Sequence, residues 1–102
     1  MTERLSQSER DAELPALGEA GWGADPARDS IRKIWKFATF SEAWGFMSRA
    51  ALAAEKMNHH PEWTNVYNRV DVRLRTHSAG NTVTRKDRDL AAAMDRIAGE
   101  PG

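Results

Sequence analysis

The chain contains no cysteine, which excludes disulfide bonds and thiolate chemistry. It also has no excess of charge of either sign, because its 15 Lys and Arg residues balance its 15 Asp and Glu residues. This balance gives no general electrostatic reason to expect binding to nucleic acid or to an anionic membrane. A binding partner would therefore have to be recognised by a local site.

Long apolar segments are absent as well. The longest weakly polar run extends only from Ala50 to Ala54, which is far too short to span a bilayer. The N-terminus continues from Thr2 into polar residues and does not resemble a secretory signal. We therefore expect a cytoplasmic protein that does not enter a membrane. A length of 102 residues predicts a single domain over residues 1–102, with residues 1–7 as a candidate for disorder.

Three segments have the pattern of helices: residues 1–18, 39–57 and 84–98. Ser6 and Ser8 are candidate N-caps of the first helix, and Pro15 is expected to limit its length. Thr39 with Glu42, and Thr84 with Asp87, have the spacing of capping boxes. The second helix is predicted to bury a stripe formed by Phe40, Ala43, Trp44, Met47, Ala51 and Ala54.

The segments between the helices have the pattern of strands. A short extended piece is predicted at residues 21–26, and alternating residues predict a strand over Ile31–Phe37. A hairpin is predicted from Trp63–Tyr67 and Val70–His77, with its turn at Asn68-Arg69. The resulting order predicts an α+β, two-layer domain, in which helices cover one face of a four-stranded antiparallel sheet.

Histidine is the residue type most informative about chemistry here. The chain has three histidines, of which His59 and His60 are adjacent and His77 ends the last predicted strand. An unperturbed pKa of roughly 6.5 lets histidine accept or donate a proton near neutral pH. Adjacent extended residues point to opposite sides, and Pro61 favours extended backbone at His60. One of the pair is therefore expected to face a pocket.

Two other interpretations of the histidines remain open from residue chemistry alone. They could be surface residues of a loop and of a strand end, since loop histidines are common. Together they could also bind zinc with one open position, although their spacing matches no zinc motif and no cysteine is present. Asp87 fits a structural role in the first turn of a helix, where a carboxylate is favourable. Trp22, which follows a glycine, is the tryptophan expected to line a pocket.

One part of the sequence is more specific than these patterns. It comprises residues 55–63 (Glu-Lys-Met-Asn-His-His-Pro-Glu-Trp), residues 65–68 (Asn-Val-Tyr-Asn) and Thr76-His77. With it, the chain from about Ser8 to Ala98 resembles the pterin-4a-carbinolamine dehydratase family, also called 4a-hydroxytetrahydrobiopterin dehydratases. The resemblance implies the α+β fold already predicted. It also implies a hydro-lyase that converts 4a-hydroxytetrahydropterin to quinonoid dihydropterin without metal or other cofactor.

The resemblance also implies which residues form the site. His59, His60 and His77 correspond to catalytic residues. The residues implied in substrate binding or in shaping the pocket are Trp22, Glu55, Asn58, Pro61, Thr76, Ser78 and Asp87. In this interpretation one histidine protonates the leaving 4a-oxygen and another accepts the N5 proton, but the sequence does not say which is the acid.

The expected partners follow from the same resemblance. They are a small-molecule pterin, further copies of the chain in a homodimer or homotetramer, and an aromatic amino acid hydroxylase acting in the same pathway. Aromatic residues of the predicted sheet also favour self-association, because one layer of helices is not expected to cover the apolar surface of all four. They are Trp35, Phe37, Trp63 and Tyr67. The alternative function is a non-catalytic dimerisation partner or assembly factor on the same fold.

Overall fold

The computed structural model describes residues 5–25, 29–80 and 82–99. The elements follow in the order α1 (Gln7–Glu19), β1 (Gly23–Asp25), β2 (Ser30–Lys36), α2 (Phe40–Met57), β3 (Glu62–Val66), β4 (Arg69–Leu74), a 3₁₀ turn (His77–Ala79) and α3 (Arg85–Ala98). The strands form one antiparallel sheet in the order β1-β2-β4-β3. The predicted α+β class and four-stranded antiparallel sheet are confirmed.

The core lies between one face of the sheet and the helices. Strand β4 alternates, so Val70, Val72 and Leu74 are buried while the residues between them form the other, polar face. From the helices, Phe46 of α2 and Leu90 of α3 are buried in the same cluster. The period of two in β4 therefore separates an apolar face under the helices from a charged face. No helix in the described ranges is long and apolar enough to cross a membrane.

Helix α1 begins after one of its two predicted N-caps and continues past Pro15. Ser6 caps it with a full capping box to Glu9, as its sequence predicts, and Leu5 is buried. The expected disorder of residues 1–7 stays a prediction, and residues 1–4 lie outside the described residues. Pro15 does not stop the helix, which continues to Glu19. Pro15 lies on an exposed side, where water can satisfy the carbonyl that its missing N–H leaves free.

Helix α2 begins as predicted but buries a different face. Its buried residues are Ala43, Phe46, Ala50 and Ala54, so Phe40, Trp44 and Ala51 were placed wrongly inside. Phe46 decides the orientation, because its ring packs 4.8 Å from that of Trp35 and 5.2 Å from that of Phe37. Thr39 accepts the Glu42 amide as expected. The Glu42 carboxylate bonds the Ala38 amide and not that of Thr39, so the predicted capping box is incomplete.

The β3–β4 hairpin turns one residue earlier than predicted, at Tyr67-Asn68. Tyr67 adopts a left-handed backbone with φ of 50°, which is unusual for a residue with a side chain. The Asn65 side chain holds this turn by donating to the carbonyls of Tyr67 and Arg69. Asn68 is engaged elsewhere, since its side chain donates to the Phe37 carbonyl. The Asn65 side chain therefore stabilises the turn itself, the Asn68 side chain links the turn to Phe37, and neither asparagine takes the left-handed position.

The sheet aromatics are covered more fully than predicted. Trp35, Phe37 and Trp63 pack against the buried core on the helix side, and only Tyr67 of the four is exposed. The other face of the sheet carries charged pairs such as Arg32 with Asp71. The Arg32 guanidinium holds the pKa of the Asp71 carboxyl below its usual value. An uncovered aromatic sheet is therefore the wrong reason to expect self-association.

Candidate active site

The end of helix α2 sets the position of the histidine pair. Asn58 caps the helix in a left-handed conformation, with φ of 52° and ψ of 43°. The amides of Asn58 and His59 then both donate to the Ala54 carbonyl. Such a cap reverses the chain without leaving helix carbonyls unsatisfied. After this cap, residues 59–61 (His59, His60 and Pro61) lead directly into β3, which begins at Glu62.

His77 reaches the same region from the segment that follows β4. Strand β4 ends at Leu74, so the prediction that His77 ends this strand is wrong; His77 opens the 3₁₀ turn that follows. Thr76 and Thr82 pair across this turn, with the Thr76 amide donating to the Thr82 carbonyl over 2.7 Å. The closed loop places His77 at the rim of a pocket and leads directly into α3.

The three histidines meet around one pocket of about 500 Å³. Its lining consists of Asn58, His59, His60, Pro61, Glu62, Arg75, Thr76, His77, Ser78 and Lys86. Sites for small molecules commonly have volumes of about 300–1,000 Å³. The pocket therefore has room for a bicyclic ligand of the size of a pterin.

Each histidine is joined through Nε2 to its own carboxylate, and the three pairs differ in burial. His59 lies 2.6 Å from Asp87, with side chains only 8% and 0% exposed. His77 lies 3.0 Å from Glu62, with 64% and 37% exposed. His60 lies 3.1 Å from Glu55, with 61% and 76% exposed. Only the first pair is shielded from water, so it has the strongest and most fixed contact.

Asp87 is the centre of the buried part of the site. Its Oδ1 atom accepts from His59 Nε2, and its Oδ2 atom accepts from the Thr84 amide and from the Thr76 hydroxyl, each over 2.8 Å. The Thr84 hydroxyl lies 2.6 Å from the Thr76 oxygen and can donate to it. An ionised carboxylate only accepts hydrogen bonds, which assigns the shared proton to His59 Nε2. His59 Nδ1 is then the nitrogen available to a ligand.

Most residues predicted for the site converge here. Seven of them line the pocket: Asn58, His59, His60, Pro61, Thr76, His77 and Ser78. Asp87 lies beneath it, in contact with His59, and Glu55 lies beside it, in contact with His60. Thr76 directs its hydroxyl to Asp87, which indicates support of the site more than contact with a ligand. In the described residues no group of three His, Cys, Asp or Glu side chains has an arrangement that could hold a metal ion.

Trp22 is the exception among the predicted site residues. It is buried in the core, where its ring packs edge-on against Trp35 and its Nε1 donates to Asp95 over 3.0 Å. It does not line the histidine pocket. The prediction that Trp22 lines a pocket rested on the glycine before it, and that local feature carries no information about the distant partners Trp35 and Asp95.

Three pocket residues were missed by the sequence analysis: Glu62, Arg75 and Lys86. Glu62 stands next to Pro61 in the most specific segment, and that proximity is the one signal that could have singled it out. Arg75 continues the polar side of β4, where charged residues are common and suggest no particular role. Lys86 occupies the first turn of α3, one residue before Asp87.

A second depression, of about 480 Å³, lies along β1 and β2 and contains no histidine. Its cations already have carboxylate partners: Arg32 pairs with Asp71, Lys33 with Asp95 and Arg73 with Asp25. The histidine pocket is therefore the better candidate for chemistry, because of these two cavities it is the one lined by histidines, which can transfer protons near neutral pH.

The chain is similar to known proteins over nearly its whole length. Residues 3–97 match the family model described as pterin 4 alpha carbinolamine dehydratase. A relative from Rhodopseudomonas palustris (strain HaA2), provisionally named as such a dehydratase, is 54% identical over 102 residues, covering 100% of this chain and 98% of the relative. A similarly named relative from Rhizobium leguminosarum bv. trifolii (strain WSM2304) is 53% identical over 100 residues, covering 98% and 96%.

Two solved structures share the fold. A "transcriptional coactivator/pterin dehydratase" from Brucella melitensis superposes with a TM-score of 0.85 at 52% identity, covering 94% of this chain and 99% of the other. A pterin dehydratase-like protein described as a RuBisCO assembly factor of the alpha-carboxysome has a TM-score of 0.67 at 21% identity, covering 79% and 93%. At that identity the second likeness concerns the fold alone. From the family match and the close relatives, the chain belongs to the pterin 4 alpha carbinolamine dehydratase family.

Proposed function

We propose that this chain is a dehydratase that removes water from 4a-hydroxytetrahydropterin to give quinonoid dihydropterin. The observation that carries the proposal is the meeting of three histidines in one pocket, each paired through Nε2 with a separate carboxylate. Family membership supplies the substrate class. The proposed biological role is recycling of the pterin cofactor used by aromatic amino acid hydroxylases.

The reaction requires two proton transfers. The C4a–O bond breaks, and its electron pair leaves with the oxygen, which takes a proton from a general acid and departs as water. The N5–H proton goes to a general base, and its electron pair forms the C4a=N5 bond. Each positioned acid or base contributes about 10²–10⁴-fold to such a step. The pocket offers more than one histidine for these two roles.

The different burial of the three histidines suggests different roles in the reaction. His59 is held by a buried carboxylate and presents Nδ1, so we infer that it transfers a proton directly. His77 lines the same pocket and is proposed as its partner. His60 and Glu55 are both mostly exposed, which fits binding or orientation of the substrate better than proton transfer. The assignment of acid and base between His59 and His77 stays open.

The alternative is a non-catalytic partner or assembly factor, and the name of the Brucella melitensis neighbour makes a role as a binding partner relevant. Such a role does not require a buried His–Asp pair in a pocket. The intact set of histidines and carboxylates therefore favours the enzyme. A cytoplasmic location likewise remains a prediction from the sequence.

The direct test of the proposed reaction is stopped-flow measurement of the decay of 4a-hydroxytetrahydropterin. The protein should accelerate this decay before and after treatment with a chelator, because only side-chain proton transfer is invoked. Unchanged decay with folded protein would reject the dehydratase. Activity that disappears with chelator and returns with metal would reject the metal-independent mechanism.

Single histidine substitutions test the division of roles. His59→Ala and His77→Ala should each lower kcat by about 10²-fold or more, the range for loss of a general acid or base. His60→Ala should lower kcat less and raise KM more. Circular dichroism of each variant serves as the control for folding. Equal kcat values in all three variants and the parent would contradict the assignment.

We also propose that the chain forms a homodimer or a homotetramer. The support comes from helix α2 and not from the sheet: Phe40 and Trp44 are stacked on its surface, and Leu52 is also exposed. Burying apolar surface favours association by about 25 cal/mol per Å² before the entropic cost of binding. Size exclusion with light scattering should give a multiple of 11.4 kDa at micromolar concentration. A single-chain mass at every concentration would refute this proposal.

A further inference from the structure

Glu62 joins the two sides of the histidine pocket. It is the first residue of β3, directly after Pro61. Its Oε1 atom accepts from His77 Nε2 and from Arg75 Nε, each over 3.0 Å. One carboxylate oxygen therefore connects the strand that follows the histidine pair with the segment that carries the third histidine.

The charge of Glu62 suits this role. Partial burial disfavours ionisation, but the hydrogen bonds from Arg75 and His77 and the charge of Arg75 outweigh it and hold the pKa of the Glu62 carboxyl below its usual value. Glu62 is therefore an ionised acceptor at neutral pH. An acceptor at Nε2 fixes the imidazole proton there and leaves Nδ1 of His77 for the pocket.

The backbone explains why His77 needs such a contact. Glu62 lies within the sheet, in register with Arg73 of β4, so its position is fixed. His77 lies on an exposed 3₁₀ turn, and among the described residues Glu62 is the only side chain that hydrogen-bonds to its ring. Without that contact an exposed imidazole is free to change rotamer and tautomer.

We propose that Glu62 is a positioning residue, which holds His77 as the Nε2-protonated tautomer with Nδ1 directed to the substrate. Arg75 steadies the Glu62 carboxylate but does not itself orient the ring. The catalytic part of this proposal rests on the proposed dehydratase function. The tautomer and orientation of His77 in the free protein do not.

The test compares Glu62→Gln and Glu62→Asp with Arg75→Met and a control, Asp71→Asn. The control removes another arginine–carboxylate pair from the same sheet without touching a histidine. Nitrogen-15 NMR of the histidine rings reports the tautomer of His77, and stopped-flow turnover reports kcat and KM. A carboxylate only accepts, whereas an amide can also donate to Nε2, so E62Q should lower the fraction of His77 in the Nε2-protonated form.

We expect kcat of E62Q to fall about 10- to 100-fold, by analogy with the loss seen when partners that orient metal-bound histidines are removed. KM should change little, E62D should recover part of kcat, and D71N should match the parent. R75M should keep the parental tautomer. An unchanged tautomer in E62Q, or equal losses of kcat in E62Q and D71N, would overturn the proposal.

These outcomes separate this proposal from the proposed function. If the parent protein shows no turnover, the dehydratase fails, yet the tautomer comparison still decides whether Glu62 orients His77. If the parent turns over normally and E62Q retains both tautomer and kcat, the positioning role alone is refuted.

Discussion

The buried contact between His59 and Asp87 is the interaction on which the rest of the site depends. Asp87 is fully buried and takes hydrogen bonds from His59, Thr76 and the Thr84 amide. A buried carboxylate with fewer partners would be costly, because an unpaired charge in a protein interior loses its hydration without compensation. The fold therefore has to bring the end of α2, the loop after β4 and the start of α3 to one point.

That requirement links local structure to chemistry. The left-handed cap at Asn58 ends α2 where His59 can reach inward, and the Thr76–Thr82 pairing closes the loop that precedes α3. The capping box of α3 uses the same Asp87 that holds His59. A single carboxylate thus starts a helix, satisfies buried donors and fixes one tautomer of a histidine. The pairs of His77 and His60 lie progressively nearer to water and leave those rings more freedom.

Sequence reasoning succeeded where signals were local. The period of two in β4, the caps at Ser6 and Thr84 and the order of elements all follow from neighbouring residues. It failed where distant packing decides: α2 carries apolar residues on two sides, and the contact of Phe46 with Trp35 selects one of them. Trp22 meets Asp95 across 73 residues of chain, which no local pattern encodes.

The site could be predicted only in part, again because local signals are visible in the sequence and contacts between distant elements are not. The adjacent histidines and Asp87 were found through the family resemblance and through capping spacing. The carboxylate partner of each histidine could not be identified, because those contacts join separate elements. Glu62 lies within the most specific segment of the sequence, but only the register of β3 on β4 and the closed loop after β4 show that its carboxylate meets His77.

The most direct test of this account is a double-mutant cycle between Asp87 and His59 in the stopped-flow dehydration assay. Asp87→Asn should lower kcat by about 10²-fold or more, since an amide favours the wrong tautomer of its partner histidine. If Asp87 acts through His59, adding Asp87→Asn to a His59→Ala background should lower kcat little further. Thermal unfolding identifies variants that are simply unfolded at the assay temperature. Fully additive losses in folded variants, or parental kcat in D87N, would contradict the account.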